Sequence, residues 1–217
     1  MSTPVRVDFD LRTPMVVYAG VKTLDALLSW AAVERAKFNG SLQEWSEQHQ
    51  HGLQIHRVGQ SWCPMASELD VEWASEAEPL HYIKRQKLEP YAVAWGDGVL
   101  KKRPAFDSAR GTTKAGSMFV SIRWVKAIRA WAMVDDMAVF EGLVPWITHI
   151  GKLHHKDFGA VRAATVTVDE QARSKWMRRP LPVGSEHLSD SHVMVMGKLQ
   201  SPYWQRTGFE PVFVPVD

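Results

Sequence analysis

The segment from Ile150 to Val161 holds residue types that could do chemistry. Its sequence, IGKLHHKDFGAV, contains two adjacent histidines, two lysines, one aspartate and two glycines. Three kinds of site are compatible with this composition: a metal site, a general acid–base site that acts on RNA, and a backbone cradle for phosphate. A metal needs converging ligands, acid–base catalysis needs a histidine near a lysine, and a cradle needs glycines that expose successive amides.

The metal and catalytic interpretations have less support than the cradle. His154, His155 and Asp157 offer ligand atoms, but adjacent histidines on a loop point in different directions and lack zinc-type spacing. A histidine could deprotonate an RNA 2′-hydroxyl while a lysine stabilises the pentavalent phosphate. Nine histidines in the chain, however, make a histidine near a lysine common by chance. We therefore predict no metal, no cofactor and no catalytic residue.

The cradle interpretation depends on Gly151 and Gly159, which permit dihedrals that expose N–H groups to phosphate oxygens. Lysines within the loop would add positive charge, and its rings could stack on bases. The residues in these two roles are Lys152, Lys156, His154, His155 and Phe158. The alternative is a plain helix-to-strand turn in which glycine serves geometry only.

Charge is unevenly distributed, although the formal net charge is only +2. Basic residues outnumber acidic ones eleven to three between His81 and Ala130, and seven to three between Gly151 and Arg179. Acidic residues outnumber basic ones eight to three between Glu34 and Glu78. This segregation suits a polyanion-binding face, but scattered solvated loops would give the same counts.

Periodicity indicates the elements that must position the loop. Alternating apolar residues from Val5 to Leu11 predict a strand, and helical spacing after Thr23 predicts a helix that stops at Asn39-Gly40. Short strands are expected in LQIHRV and ELDVEWA, and a strand or bent strand pair in SMFVSIRWVKAIRAWAMV. A helix capped by Asp136 and broken near Pro145 should precede the loop, and a strand should follow it in AVRAATVTV.

This order predicts an α+β fold, namely a ferredoxin-like, RRM-like βαββαβ domain. Two helices would cover one face of four antiparallel strands and leave the other face available. We place this domain at residues 1–170, including a long basic insertion at about 90–116. Residues 171–217 would form an ordered C-terminal extension packed on the same domain.

Composition indicates a cytoplasmic protein. The single cysteine, Cys63, cannot form an internal disulfide or define a zinc site alone, and a buried thiol is expected. The chain shows neither an N-terminal apolar run with a cleavage site nor about 18 consecutive apolar residues, so we expect no membrane association.

Three segments together resemble the RAMP superfamily of CRISPR-associated proteins. IGKLHHKDFGAVRAATV is similar to the family's G-K…G-[FY]-G-x-V segment, with Asp157 where the family usually has glycine. TPMVVYAGVKTLDALLSWAAVE resembles the first strand-to-helix passage of one branch, the Cas-five-type crRNA 5′-handle-binding subunit of type IV effector complexes (Csf family). RRPLPV followed by SPYW is similar to the C-terminal tail of that branch.

The resemblance implies a non-catalytic RNA-binding subunit. It would grip the 5′ handle of the crRNA, hook a thumb-like arm over it, and cap a filament of backbone RAMP subunits beside the large subunit. Target DNA near the flanking motif is a further candidate partner. Two alternatives are open: a metal-independent endoribonuclease that processes precursor crRNA, and a purely protein-bridging scaffold.

The predicted RNA contacts are basic or aromatic side chains in the insertion and the segment before it, in the glycine-flanked loop, in the strand after the loop, and at the start of the C-terminal extension. They are Lys84, Arg85, Lys101, Lys102, Arg103, Phe106, Arg110, Lys114, Lys152, His154, His155, Lys156, Phe158, Arg162, Arg178 and Arg179.

Overall fold

The computed structural model describes residues 2–17, 23–41, 51–84, 96–98, 116–189, 191–203 and 208–216. The chain forms two compact units, one of residues 1–76 with 123–217 and one of residues 77–122. The strands are β1 (Thr3–Leu11), β2 (Met15–Val16), β3 (Ile55–Val58), β4 (Ser61–Pro64), β5 (Asp70–Trp73), β6 (Glu78–Lys84), β7 (Gly116–Arg123), β8 (Val125–Val134), β9 (Val161–Val168), β10 (Leu181–Pro182), β11 (His192–Gly197) and β12 (Glu210–Pro215). The helices are α1 (Leu24–Phe38), α2 (Met137–Leu143) and α3 (Ala172–Lys175), and 3₁₀ turns lie at Val144–Trp146 and His154–Lys156.

A four-stranded sheet in the order β5-β8-β1-β9 is the centre of the larger unit. Every neighbouring pair in it is antiparallel, and Val7 of β1 lies opposite Ala130 on one side and Val166 on the other. Val5, Val7 and Phe9 are buried, while the residues between them face the opposite side, as the period of two requires. The predicted alternation in the first strand is confirmed.

Helices α1 and α2 contribute the apolar residues that cover one face of this sheet. Leu24 and Leu28 of α1 and Phe140 and Leu143 of α2 are fully buried in one cluster with the inward side chains of β1 and β8. Asp136 caps α2, as predicted, because its carboxylate accepts the amide of Val139 at 3.1 Å. The 3₁₀ turn Val144–Trp146, which contains Pro145, follows α2 directly and leads toward the loop.

The other face of the sheet is partly covered by the C-terminal segment. Trp131 and Met133 of β8 point to this side and are buried in a second cluster with Trp176, Leu181 and Val212. β12 pairs with both β10 and β11 in a small sheet that contributes to this cluster. The expectation of an available second face is therefore wrong around Trp131. Apolar side chains from the sequence after Asp169 are buried in this cluster.

The remaining elements agree with the predicted α+β class. β6 and β7 pair antiparallel in the smaller unit, from Glu78 opposite Ile122 to Lys84 opposite Gly116. The expected short strands correspond to β3 and β5, and the expected strand pair to β7 and β8. Within the described residues, no helix is long and apolar enough to cross a membrane.

Candidate nucleic-acid interface

The glycine-flanked loop joins the 3₁₀ turn after α2 to β9 and closes on itself. The amide of Ile150 donates to the carbonyl of Gly159 at 2.8 Å, so the two ends of the loop meet. Between them, Leu153 and Asp157 adopt left-handed backbone conformations on either side of the turn His154–Lys156. This geometry holds Lys152 and Lys156 in an exposed bend.

Gly159 is required by the closure of the loop. Its φ is +66°, and a Cβ atom there would lie only 1.9 Å from the carbonyl oxygen of Ile150. No real Cβ contact is that short, so a side chain would force the loop ends apart. The alternative interpretation, in which glycine serves the geometry of this turn, therefore has a direct physical cause at Gly159.

The residues that follow β1 anchor the loop. The hydroxyl of Thr13 donates to the carbonyl of Asp157 at 2.6 Å and accepts the amide of Ala160 at 2.8 Å. The amide of Gly159 donates to the carbonyl of Pro14 at 2.9 Å. β1 and β9 are neighbours in the sheet, so the end of one strand and the start of the other meet at the same sheet edge.

These bonds occupy amides that the cradle interpretation assigned to phosphate. Asp157, Gly159 and Ala160 each donate to an acceptor inside the loop or at the end of β1. The C-terminal half of the loop therefore does not form the predicted backbone cradle. What the loop presents to an anion is chiefly side-chain charge.

Asp157 keeps the turn geometry that a glycine would give. Its φ is +64°, a conformation that aspartate adopts more readily than most residues. Its carboxylate lies 3.3 Å from Nε2 of His149 and accepts a hydrogen bond from the guanidinium of Arg12 at 3.0 Å. The hydrogen bond with His149 and, after it, the one from Arg12 lower the pKa of Asp157. Where glycine would adopt this backbone conformation freely, Asp157 is held in it by its side-chain bonds to Arg12 and His149.

An open cleft of about 610 Å³ lies beside the loop, between the segment after α2 and the start of β9. Its polar lining comes from Arg12, Thr148, His149 and Arg162. Residues 10–13 and 150–162 together carry four basic and two acidic side chains, namely Arg12, Lys152, Lys156 and Arg162 against Asp10 and Asp157. This excess of positive charge makes the sheet edge attractive to a polyanion. We call residues 10–13 and 150–162 the basic loop edge.

The exposed part of the second sheet face is balanced instead. Three basic and three acidic side chains form a network there, namely Arg6, Lys126 and Arg129 with Asp8, Glu72 and Asp169. Nε of Arg6 lies 2.8 Å from Oδ2 of Asp8, and Nζ of Lys126 lies 2.5 Å from Oε1 of Glu72. Such a face offers a phosphate chain little net attraction.

Comparison with known families bears on the whole chain. A family model described as CRISPR type IV associated protein Csf3 matches residues 3–215. The chain belongs to the Csf3 family. The type IV Csf assignment inferred from the three sequence segments is thereby confirmed. No curated protein sequence matches the chain.

The structure brings the loop candidates of this Csf3-family chain together. Lys152, His154, His155 and Lys156 are exposed, and Phe158 is half-buried. Arg162 is exposed at the start of β9, and its guanidinium lies 3.4 Å from the carboxylate of Asp10. The ring of His154 lies 6.3 Å from that of His149 and 5.9 Å from that of His155. Among the described residues, no group of three or more histidine, cysteine, aspartate or glutamate side chains could hold a metal ion.

Arg179 must be removed from the predicted RNA contacts of the Csf3-family chain. Its side chain has no exposed surface and pairs with Asp25, so it cannot reach a phosphate. The neighbouring Arg178 is exposed, but it lines a separate small cleft with Glu68 and Asp70, away from the loop.

The other candidates in the Csf3-family chain stay predictions. Lys84 is the last residue of β6. Arg85 and the insertion candidates lie outside the described residues; the insertion candidates are Lys101, Lys102, Arg103, Phe106, Arg110 and Lys114.

Sequence reasoning missed Arg12 and His149, which lie within 3.3 Å of the Asp157 carboxylate. A signal was present, because a βαββαβ order makes the first and last strands neighbours. The residues after the first strand must then lie beside the loop that precedes the last strand.

Proposed function

We propose that this chain is the non-catalytic crRNA 5′-handle-binding subunit of a type IV effector complex. In this role it caps the filament of backbone RAMP subunits, next to the large subunit and the flanking motif of the target DNA. Membership of the Csf3 family supports a place in a type IV CRISPR complex. The observation that carries RNA binding is the basic loop edge, where four cationic side chains meet only two carboxylates.

Three properties of the basic loop edge suit a single RNA strand. Each phosphate neutralised by a lysine or arginine releases counterions, which makes binding favourable and dependent on salt. The rings of His154 and His155 are exposed beside these cations, and aromatic rings stack on unpaired bases. The closed loop holds both groups in place, so little ordering is needed on binding.

A ferredoxin-like core is part of this proposal. The elements β1, α1, β5, β8, α2 and β9 occur in the order βαββαβ. The sheet order β9-β1-β8-β5 is strand four, one, three and two of that series. Both orders support the arrangement found in RNA recognition motifs, here with additional strands and a C-terminal extension.

The test is a salt titration of RNA binding by the purified chain. The probe is a repeat-derived RNA that contains the handle, and the variant carries Lys152→Ala and Lys156→Ala. We expect weaker binding and a salt slope reduced by up to about 1.4, since each contact to single-stranded RNA contributes about 0.7. The control, Lys126→Ala with Arg173→Ala, removes the same charge from two exposed ion pairs elsewhere. Equal slopes in the two variants would contradict the proposal.

A cleavage assay separates the endoribonuclease alternative. The same RNA is incubated with the chain and with its His154→Ala, His155→Ala variant. Under the proposal neither protein releases a handle-sized product. A product that the wild type makes and the variant does not would replace the binding role by processing of precursor crRNA. Normal assembly with the other subunits, without any RNA affinity in the wild type, would favour the bridging scaffold.

A further inference from the structure

A second open cleft, of about 420 Å³, lies beside the basic loop edge on the outer surface of α1. Its lining consists of Trp30, Glu34, Lys37, Phe38, Trp146 and Thr148. Phe38, the last residue of α1, is 80 % exposed. Its ring lies 5.3 Å from that of Trp146, with the two planes tilted by 58°. We call this site the aromatic cleft.

The fold brings these rings together from two elements. Trp30 and Phe38 are eight residues apart on α1, which places them on a similar side of the helix. Trp146 belongs to the 3₁₀ turn after α2, which packs against α1. Trp146 is half-buried and rests on the main core, so one wall of the cleft is fixed by packing. Phe38 forms an exposed wall.

The interior of the aromatic cleft is close to neutral. Glu34 and Lys37 form an ion pair at 2.7 Å, one helical turn apart on α1. Their charges compensate each other, so the cleft has no particular attraction for a phosphate. The open tilted rings instead suit a flat, uncharged ring system.

The aromatic cleft adjoins the basic loop edge. Thr148 lines both clefts. His154 connects them a second time, because its ring lies 6.2 Å from that of Trp30 while His154 itself belongs to the loop. Cations on one side and stacking rings on the other are the combination that binds single-stranded nucleic acid.

We propose that the aromatic cleft binds one unpaired base of the RNA strand whose phosphates contact the basic loop edge. This inference rests on the proposed function and assigns a further site to it. An apolar side chain from a neighbouring protein could fill a similar space. The adjoining excess of positive charge favours the base, because each base is attached to a phosphate that the basic loop edge attracts.

The first test uses Phe38, because replacing a side chain that is 80 % exposed changes stability little. Phe38→Ala should weaken binding of the repeat-derived RNA about 5- to 150-fold, the range for loss of one base–aromatic stack. The salt slope should stay unchanged, since stacking releases no counterions. Phe38→Trp should retain affinity. The control is Phe209→Ala, because Phe209 is also exposed, at 51 %, and lies outside both clefts.

The second test locates the base by scanning single abasic sites along the RNA. One position should weaken wild-type binding and have almost no further effect on Phe38→Ala. If Phe38→Ala binds every RNA as the wild type does, the base site is refuted. If it loses a protein subunit on co-purification while RNA affinity is intact, the cleft is a protein-docking site and the proposal is also refuted. Failure of the proposed function is distinguished by the Lys152→Ala, Lys156→Ala variant, which would then bind the RNA with the same salt slope as its control.

Discussion

Arg179 and Asp25 pair at 3.1 Å although 154 residues separate them in the chain, and neither side chain has any exposed surface. Asp25 lies in the first turn of α1, and Arg179 follows the short helix α3. The guanidinium also donates to the carbonyls of Pro64, Ala66 and Leu199. One buried cation thus connects three separate parts of the larger unit.

The electrostatics of this pair are those of a compensated buried charge. Burial by itself would lower the pKa of Arg179, but the interactions with Asp25, Tyr203 and Cys63 together outweigh it and raise the pKa above its ordinary value. The hydroxyl of Tyr203 donates to Asp25 at 2.7 Å and accepts from Arg179 at 3.0 Å. Burial and the charge of Asp25 raise the pKa of Tyr203, so the phenol stays protonated. The network is complete only when all three residues are present.

Arg179→Met should therefore destabilise the larger unit strongly. It leaves Asp25 buried without its cation, and breaking a buried pair in this way costs about 3–5 kcal/mol. Urea unfolding followed by circular dichroism measures the loss. The control Arg173→Ala removes an exposed pair with Glu170 and should cost at most about 1 kcal/mol. Similar losses in both variants would show that burial does not govern the contribution of Arg179.

Gly159→Ala should open the loop and lower the free energy of unfolding. Alanine at a left-handed φ costs about 1–2 kcal/mol, and the approach of its Cβ to the Ile150 carbonyl adds to that cost. Gly40→Ala is the matched control, because Gly40 has a φ of +72° but no atom within 4 Å of the place that an alanine Cβ would take. The difference between the two variants, measured by urea unfolding, isolates the close contact. No difference would mean that the loop ends separate without cost.

Local patterns predicted much of the fold. The alternation from Val5 to Leu11, the helix stop at Asn39-Gly40 and the cap at Asp136 depend on residues close in sequence, and all three are present. Thr23 lies at the predicted N-cap position of α1, but its hydroxyl accepts no capping hydrogen bond. The loop between α2 and β9 was likewise visible from its glycines and charges.

Long-range contacts could not be predicted in the same way. Arg178 and Arg179 are adjacent residues of the same type, yet Arg178 is exposed and Arg179 is fully buried. Which of them is buried depends on where Asp25 lies, and that follows only from the assembled fold. The contact between Arg12 and Asp157 also spans 145 residues, but here the predicted strand order places the end of the first strand beside the loop before the last one.

Asp157→Gly should raise RNA affinity with little effect on stability. Glycine relieves the positive φ, while the pair with Arg12 that is lost is exposed and contributes little to stability. Removing the carboxylate leaves Arg12 available for a phosphate, so the salt slope should increase by about 0.7. Glu170→Gln, which removes one acidic charge from an exposed pair outside the loop, serves as the control in the same titration. Weaker binding by Asp157→Gly alone would mean that the carboxylate positions Arg12 and His149 for RNA. An equal gain in RNA affinity in both variants would mean that only the change in net charge matters.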